Sequence, residues 1–143
     1  MPRVLEHRTA TDGGAEDRLV LALEGAYPAE AGVASQTRTI ILQRQPPRGV
    51  VVLEDRIRFA TGPGRITSVL TTFAPVEVAA ARVRICGERA ILDIEYDQGK
   101  IAVQAETIPD VDFPDGPRAV NPILFTPHLA TEEACIRLCI RPT

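Results

Sequence analysis

The sequence predicts an all-β protein, an antiparallel β-sandwich or stack of sheets with about eight or nine strands. Two observations carry this. Most apolar runs alternate with a period of two and none shows sustained helical periodicity, and turn signals recur roughly every ten residues. A chain of 143 residues suits one core rather than two. We therefore expect a polar lead-in over 1–17 and a single β-sandwich domain over 18–143.

The strands follow in order. "RLVLALE" (18–24) puts Leu19, Leu21 and Leu23 on one face, and "TRTIILQR" (37–44) follows a Pro/Ala/Gly-rich corner. "GVVVLEDRIRFA" (49–60) sets Val51, Leu53, Ile57 and Phe59 against Val52, Glu54, Arg56 and Arg58. Asp55 falls on the apolar side of that strand, where a carboxylate must find hydrogen-bond partners, change protonation or be turned out by a bulge. "RITSVLTTFA" (65–74) is entered through the turn "TGPG". "ARVRICG" (81–87) and "RAILDIEYD" (89–97) flank a Gly-Glu link, and "KIAVQAET" (100–107) follows Gln98-Gly99, which reads as a hairpin turn with glycine at positive φ. The Pro- and Asp-rich stretch 108–122 reads as a loop. "ILFTPHLA" (123–130) and "EACIRLCIRPT" (133–143) complete the set. The segment "HRTATDGGAE" before Asp17 reads as a frayed turn.

Composition excludes several functions. A net charge of -3 and 4% aromatic residues without tryptophan argue against nucleic acid, which needs gathered positive charge and stacking surfaces. No apolar run reaches the length of a spanning helix, so no membrane segment is expected, and the opening "MPRVLEHRTA" lacks the apolar core of a signal sequence. Localisation stays open, although unpaired cysteines suit a cytoplasmic setting. Cys86, Cys135 and Cys139 are odd in number. The last two, four apart on one strand, are separated by about 13 Å, too far for a disulfide, so buried free thiols are expected.

Groups for chemistry are few. His7 reads as exposed and His128 as a satisfied, partly buried imidazole; neither has a neighbouring ligand in zinc or cupin spacing. Ser35 and Ser68 lie in no nucleophile elbow. Asp110, Asp112 and Asp115 are spaced suggestively, but Phe113 and Pro114 occupy positions that a calcium loop gives to oxygen donors. No metal, cofactor or catalytic residue is assigned. "EGAYPAEAGVASQTRTIILQR" (24–44) gathers Tyr27, Glu24, Glu30 and Arg38. Its structural reading packs the Tyr27 ring on the core, pairs Glu24 or Glu30 with Arg38, and lets Asp55 accept arginine or backbone hydrogen bonds.

The order "AYPAEAGVASQTRTIILQR", "VVVLEDRIRF", "SVLTTFAPVEV", "RVRI…AILDIEYD" and "IAVQAETIPD" resembles the C-terminal β-sheet region of the heparinase II/III-like polysaccharide lyases, well over residues 18–107 and loosely beyond. The resemblance implies a protein with an α-helical toroid joined to stacked sheets, cleaving uronic-acid polysaccharides by β-elimination with an Asn that quiets the carboxylate and Tyr and His as base and acid. Those residues belong to segments that have no counterpart in this sequence, so the expectation is a non-catalytic β domain, inactive alone. It would support the toroid or form a wall of the cleft. Arg38, Arg44, Arg56 and Arg58, with Tyr27, are then the candidate contacts for an anionic polysaccharide, because guanidinium pairs bidentately with carboxylate or sulfate. The alternative is a standalone carbohydrate- or protein-binding sandwich. A piece of a larger protein should also expose an apolar patch.

Overall fold

Twelve strands and two short 3-10 turns make up the computed structural model, which describes residues 1–11, 14–44 and 48–143. In chain order they are β1 (Arg3–Arg8), β2 (Glu16–Ala22), β3 (Val33–Gln43), β4 (Val50–Phe59), β5 (Ser68–Thr72), β6 (Val76–Ala79), β7 (Arg82–Cys86), β8 (Ile91–Glu95), β9 (Ile101–Ala105), β10 (Ile108–Val111), β11 (Arg118–Pro127) and β12 (Glu133–Pro142). The all-β expectation holds. The larger sheet has the order β1-β2-β3-β4-β12-β8-β7-β6. In the smaller sheet β11 is central, with β5 along one edge and β9 then β10 along the other. All pairings are antiparallel. Among the described residues no helix is long and apolar enough to cross a membrane.

Period-two alternation explains how the sheets meet. Leu53 and Ile57 of β4, Ile136 and Leu138 of β12, Ile94 of β8 and Val83 of β7 share one face through the strand register. There all but Ile57, which is itself buried, form one core cluster with Ile101, Ile123 and Phe125 of the smaller sheet. Phe125, Ile94, Ile123, Ile136, Leu138 and Val83 are fully buried. Tyr96 closes the cluster edge-to-face on Phe125, centroids 5.9 Å apart. The same face of β2 and β3 carries Leu19, Leu21, Ile40 and Leu42, which are only half-buried and lie outside this core.

Several expectations are corrected. The lead-in holds β1, paired to β2 with an irregularity between Val4 and Glu6; Asp12 and Gly13 of that segment lie outside the described residues. A strand exposed along its whole length has no burial-driven alternation to betray it. The stretch 108–122 is not one loop, since β10 and the start of β11 occupy much of it. Its prolines are accommodated because Pro109 lies on an edge strand and Pro122 falls where β9 gives way to β10, with its carbonyl accepting Glu106 N–H at 3.0 Å. β6 was also unforeseen. The turn at Gln98-Gly99 is not a hairpin but a crossing between sheets, built on Asp97, whose side chain accepts Gly99 N–H at 3.0 Å. Among the described residues the positive-φ glycines are elsewhere, at Gly32, Gly62 and Gly116. The "TGPG" turn needs glycine for space too: a Cβ on Gly64 would lie 2.5 Å from the Phe59 ring.

Candidate functional site

The five sequence-predicted site residues do not converge. Arg38 faces inward, opposite Asp55 in the β3–β4 register. Its Nε and Nη2 each donate to an Asp55 carboxylate oxygen at 2.7 Å, and the Ser68 hydroxyl donates to the same carboxylate. Asp55 is fully buried, so the bidentate pair and Ser68 answer the question the β4 pattern raised. The Asp55 hydrogen bonds hold the Arg38 guanidinium above its ordinary pKa, against the opposing effect of burial. Glu24 pairs with Arg3 instead, at 3.2 Å. Tyr27 has the extended backbone expected before proline (φ -100, ψ 147). The residue is 40% exposed and lies outside the buried core.

Arg44, at the end of β3, donates through Nε to Asp17 at 2.8 Å, and Asp17 also accepts Ala10 N–H at 2.7 Å. The Ala10 amide first, then Arg44, hold the Asp17 carboxyl below the usual carboxylate range. Both Arg38 and Arg44 are therefore engaged within the chain.

Arg56 and Arg58 point the other way, onto the outer face of the larger sheet. Arg56 donates to Glu54 at 2.6 Å, and Arg137 approaches the same carboxylate at 3.6 Å. Further along this face Arg84 forms a bidentate pair with Asp93 at 2.8 and 2.9 Å, and Arg141 lies 3.5 Å from Glu95. The face is a ladder of ion pairs, within β4 at Arg56–Glu54 and across strands at Arg137–Glu54, Arg84–Asp93 and Arg141–Glu95. Arg58 differs: it stands in register between Ser35 and Glu133 and makes no ion pair among the described residues.

Three adjoining depressions, of about 420, 290 and 420 Å3, meet at Cys135. Arg56, Arg58 and Thr37 line the first, His128 and Lys100 the second, and Arg137 and Tyr96 the third. Together they make a shallow groove across β4 and β12 toward the β8–β9 crossing. Its cations are Arg56, Arg58, Arg137 and Lys100, and its flanking carboxylates are Glu54, Glu95, Asp97 and Glu133. Partial desolvation of the sulfur at the floor of the groove first, and then Glu54, push the Cys135 thiol up from its ordinary pKa, although the residue as a whole is exposed. The cysteines are free, but Cys135 is exposed and Cys86 and Cys139 half-buried, not the buried thiols expected. Their outward phase on β7 and β12 is the reason. His128 is exposed rather than partly buried, and its Nε2–H donates to the Gln98 carbonyl at 2.9 Å. No group of three or more metal-ligating side chains occurs among the described residues.

Sequence reasoning found Arg56 and Arg58 but missed Arg137, Lys100 and His128 as their neighbours. The outward phase of Arg137 on β12 was readable from the alternation of Ile136 and Leu138. Lys100 and His128 come from turns and are placed only by tertiary structure.

These features define an all-β protein of two packed antiparallel sheets with a mixed-charge groove on its outer face. No family model matches the sequence, and no curated protein matches it. Among solved structures, heparan sulfate lyase HepC from Pedobacter heparinus is similar: a mutant form superposes at a TM-score of 0.73 with 13% identity, and another structure of HepC at 0.72 with 12%. Each covers 99% of this chain and 21% of the lyase chain. This chain shares the fold of the part of the lyase on which it superposes, and it spans about a fifth of the length of those neighbours.

Proposed function

We propose that this chain is the C-terminal-type β domain of a heparinase II/III-like polysaccharide lyase and that it is non-catalytic. In this reading it supports a helical toroid and lends its groove as one wall of a cleft for an anionic polysaccharide. The carrying observation is the superposition of 99% of the chain on part of a heparan sulfate lyase. The half-buried apolar strip of Leu19, Leu21, Ile40 and Leu42 supports it as well, since a sheet wing with apolar side chains left outside the core is what a missing layer leaves behind.

Within the groove, Arg58 is the foremost contact for a uronate or sulfate, because no carboxylate among the described residues pairs with its guanidinium. Arg56 and Arg137 share Glu54 and would have to give up part of that pairing. Arg38 and Arg44 act structurally in this reading, through Asp55 and Asp17. Tyr27, on the corner before β3, stands apart from the groove.

The test uses the purified chain with heparan sulfate and with an alginate-type polymer, following absorbance of the unsaturated uronate. We expect retention on immobilised heparin at low salt and no sustained turnover. Turnover by this chain alone would refute the non-catalytic role, and absence of retention would remove the cleft wall. A second reading, a standalone binding sandwich, draws on the self-neutralising ion-pair ladder of the outer face, which needs no covering layer. Monomeric behaviour with no dye binding to the β2–β3 strip would favour it.

A further inference from the structure

The smaller sheet ends in an edge that carries none of the usual guards. An open strand edge invites pairing, and proteins blunt it with charge, proline or a bulge. β5 reads Ser-Val-Leu-Thr-Thr, without charge or proline, and its register with β11 runs without a bulge. The other outer strands are protected: β1 by Arg3, Glu6, Arg8 and an irregularity, β6 by Glu77, and β10 by Pro109 and Asp110. β9 is uncharged as well, but it comes close to β6.

Which backbone groups of β5 are open follows from β11. The Pro122 carbonyl accepts Glu106 N–H, on the side away from β5. In an antiparallel ladder the N–H and C=O of one residue point to the same side and alternate along the strand. Asn121, Ile123 and Phe125 therefore bond toward β5, where they face Thr72, Leu70 and Ser68. Val69 and Thr71 are left with their amides and carbonyls aimed at the open edge, and both residues are exposed. Among the described residues no hydrogen bond outside the ladder reaches them.

This edge looks onto the half-buried strip of the larger sheet. Ser68 reaches down to Asp55 of β4, whereas β11 packs farther along, on Ile136, Leu138 and Ile94, so the open side of β5 is the β3 side. Strands lie about 4.8 Å apart within a sheet, and facing sheets about 10 Å apart. One more strand beside β5 would therefore lie over β3, with alternate side chains reaching Ile40 and Leu42. Arg38, on the same face, spends Nε and Nη2 on Asp55 and leaves Nη1 without a partner among the described residues; its side chain is 27% exposed. We propose that the slot between the β5 edge and the β2–β3 strip receives an extended strand of another polypeptide, which pairs through Val69 and Thr71, lays apolar side chains on Ile40 and Leu42, and sets a carboxylate on Arg38. A helix would cover the strip but leave the edge unpaired. The slot names the kind of layer that belongs over the strip, and it rests on neither the groove nor a polysaccharide.

The experiment titrates the full chain with an acetylated nonapeptide that alternates valine and threonine, glutamate replacing the central valine, and reads amide hydrogen exchange by NMR and affinity by fluorescence anisotropy. We expect exchange at Val69 and Thr71, fast in the free chain, to slow about tenfold or more at saturation, while Leu70 and Thr72 are slow throughout. Methylating alternate peptide nitrogens on the pairing side should weaken binding about tenfold or more, and glutamine in place of the glutamate about threefold or more. Val69→Pro should fold, since the lost N–H faces the open edge, and should also bind about tenfold or more weakly; if it does not fold, the methylated peptide carries the same test. Unchanged exchange at Val69 and Thr71, or equal binding of the methylated peptide, overturns the slot. So does an amphipathic helical peptide that binds Ile40 and Leu42 while both amides still exchange freely. Protection of these amides that grows with protein concentration alone assigns the edge to a second copy and overturns the proposal too. Heparin retention is a separate readout, and none of these outcomes alters it.

Discussion

Replacing Arg38 by methionine removes the guanidinium but keeps the length and most of the apolar stem, leaving the Asp55 carboxylate fully buried with Ser68 as its remaining side-chain donor. Breaking a buried pair by removing one partner costs about 3–5 kcal/mol, most of it the penalty of an uncompensated buried charge. The converse change, Asp55→Asn, is milder. Arg38 is 27% exposed in its side chain and can reach water, and the Asn oxygen still accepts from it. We expect about 1–2 kcal/mol for that variant. Urea unfolding at pH 7 followed by circular dichroism measures both, and for a chain of this size the Arg38→Met loss corresponds to about 10–20 °C in Tm. The double variant Arg38→Met/Asp55→Leu should recover much of the loss, since no charge is left stranded. If Arg38→Met costs under about 1 kcal/mol, or no more than Asp55→Asn, the bidentate pair is not what satisfies Asp55 and the reasoning fails.

Three further outcomes follow. Arg84 hydrogen bonds, with a smaller contribution from Arg82, hold Asp93 below the usual carboxylate range; its folded value lies under its unfolded one, so its stabilisation is present above about pH 4 and is lost as pH falls through the folded value. The Tm deficit of Asp93→Asn should therefore be largest near pH 7 and shrink below about pH 4, and a deficit that stays constant down to pH 2.5 would contradict the pairing. Gly64→Ala should lower stability by about 1–3 kcal/mol in urea, because its Cβ must displace the Phe59 ring; unchanged stability would mean the ring moves freely. Arg58→Gln should elute from immobilised heparin at lower salt while stability changes by no more than about 0.5 kcal/mol, and unaltered elution would take Arg58 out of the groove's binding role.

What the sequence made legible was set by burial on one side. The alternation in β4 and β12 exposed their inner faces, and the same alternation singled out Asp55 as a polar intruder that had to be paired. Asp55 found its partner in Arg38, the residue opposite, a relation fixed by register and so beyond any reading of one strand alone. β1 escaped notice because an edge strand exposed along its whole length needs no apolar phase, β6 because only Val76 of its four residues packs on the core, and β10 because it is largely exposed and disguised by prolines. The groove was half legible. Arg56 and Arg58 showed as outward residues of one strand, whereas Lys100 and His128 reach it through the β8–β9 and β11–β12 connections. The sheet change at Asp97 was invisible for a similar reason: a short turn between two strands looks the same whether the second strand pairs with the first or departs to another layer.

The place of β12 bears on how the molecule comes to be. It lies between β4 and β8 in the larger sheet, and it is synthesised after both. Until it arrives, β1–β4 and β6–β8 are two unconnected ribbons, each with an open hydrogen-bonding edge facing a gap one strand wide. Joining them demands contacts between distant parts of the chain, which slows folding and leaves edges available to other molecules in the meantime. A chain cut before Glu133 would therefore not shed a peripheral strand; it would leave two half-sheets seeking a substitute, and a peptide of residues 133–142 supplied separately is the natural candidate to fill the gap.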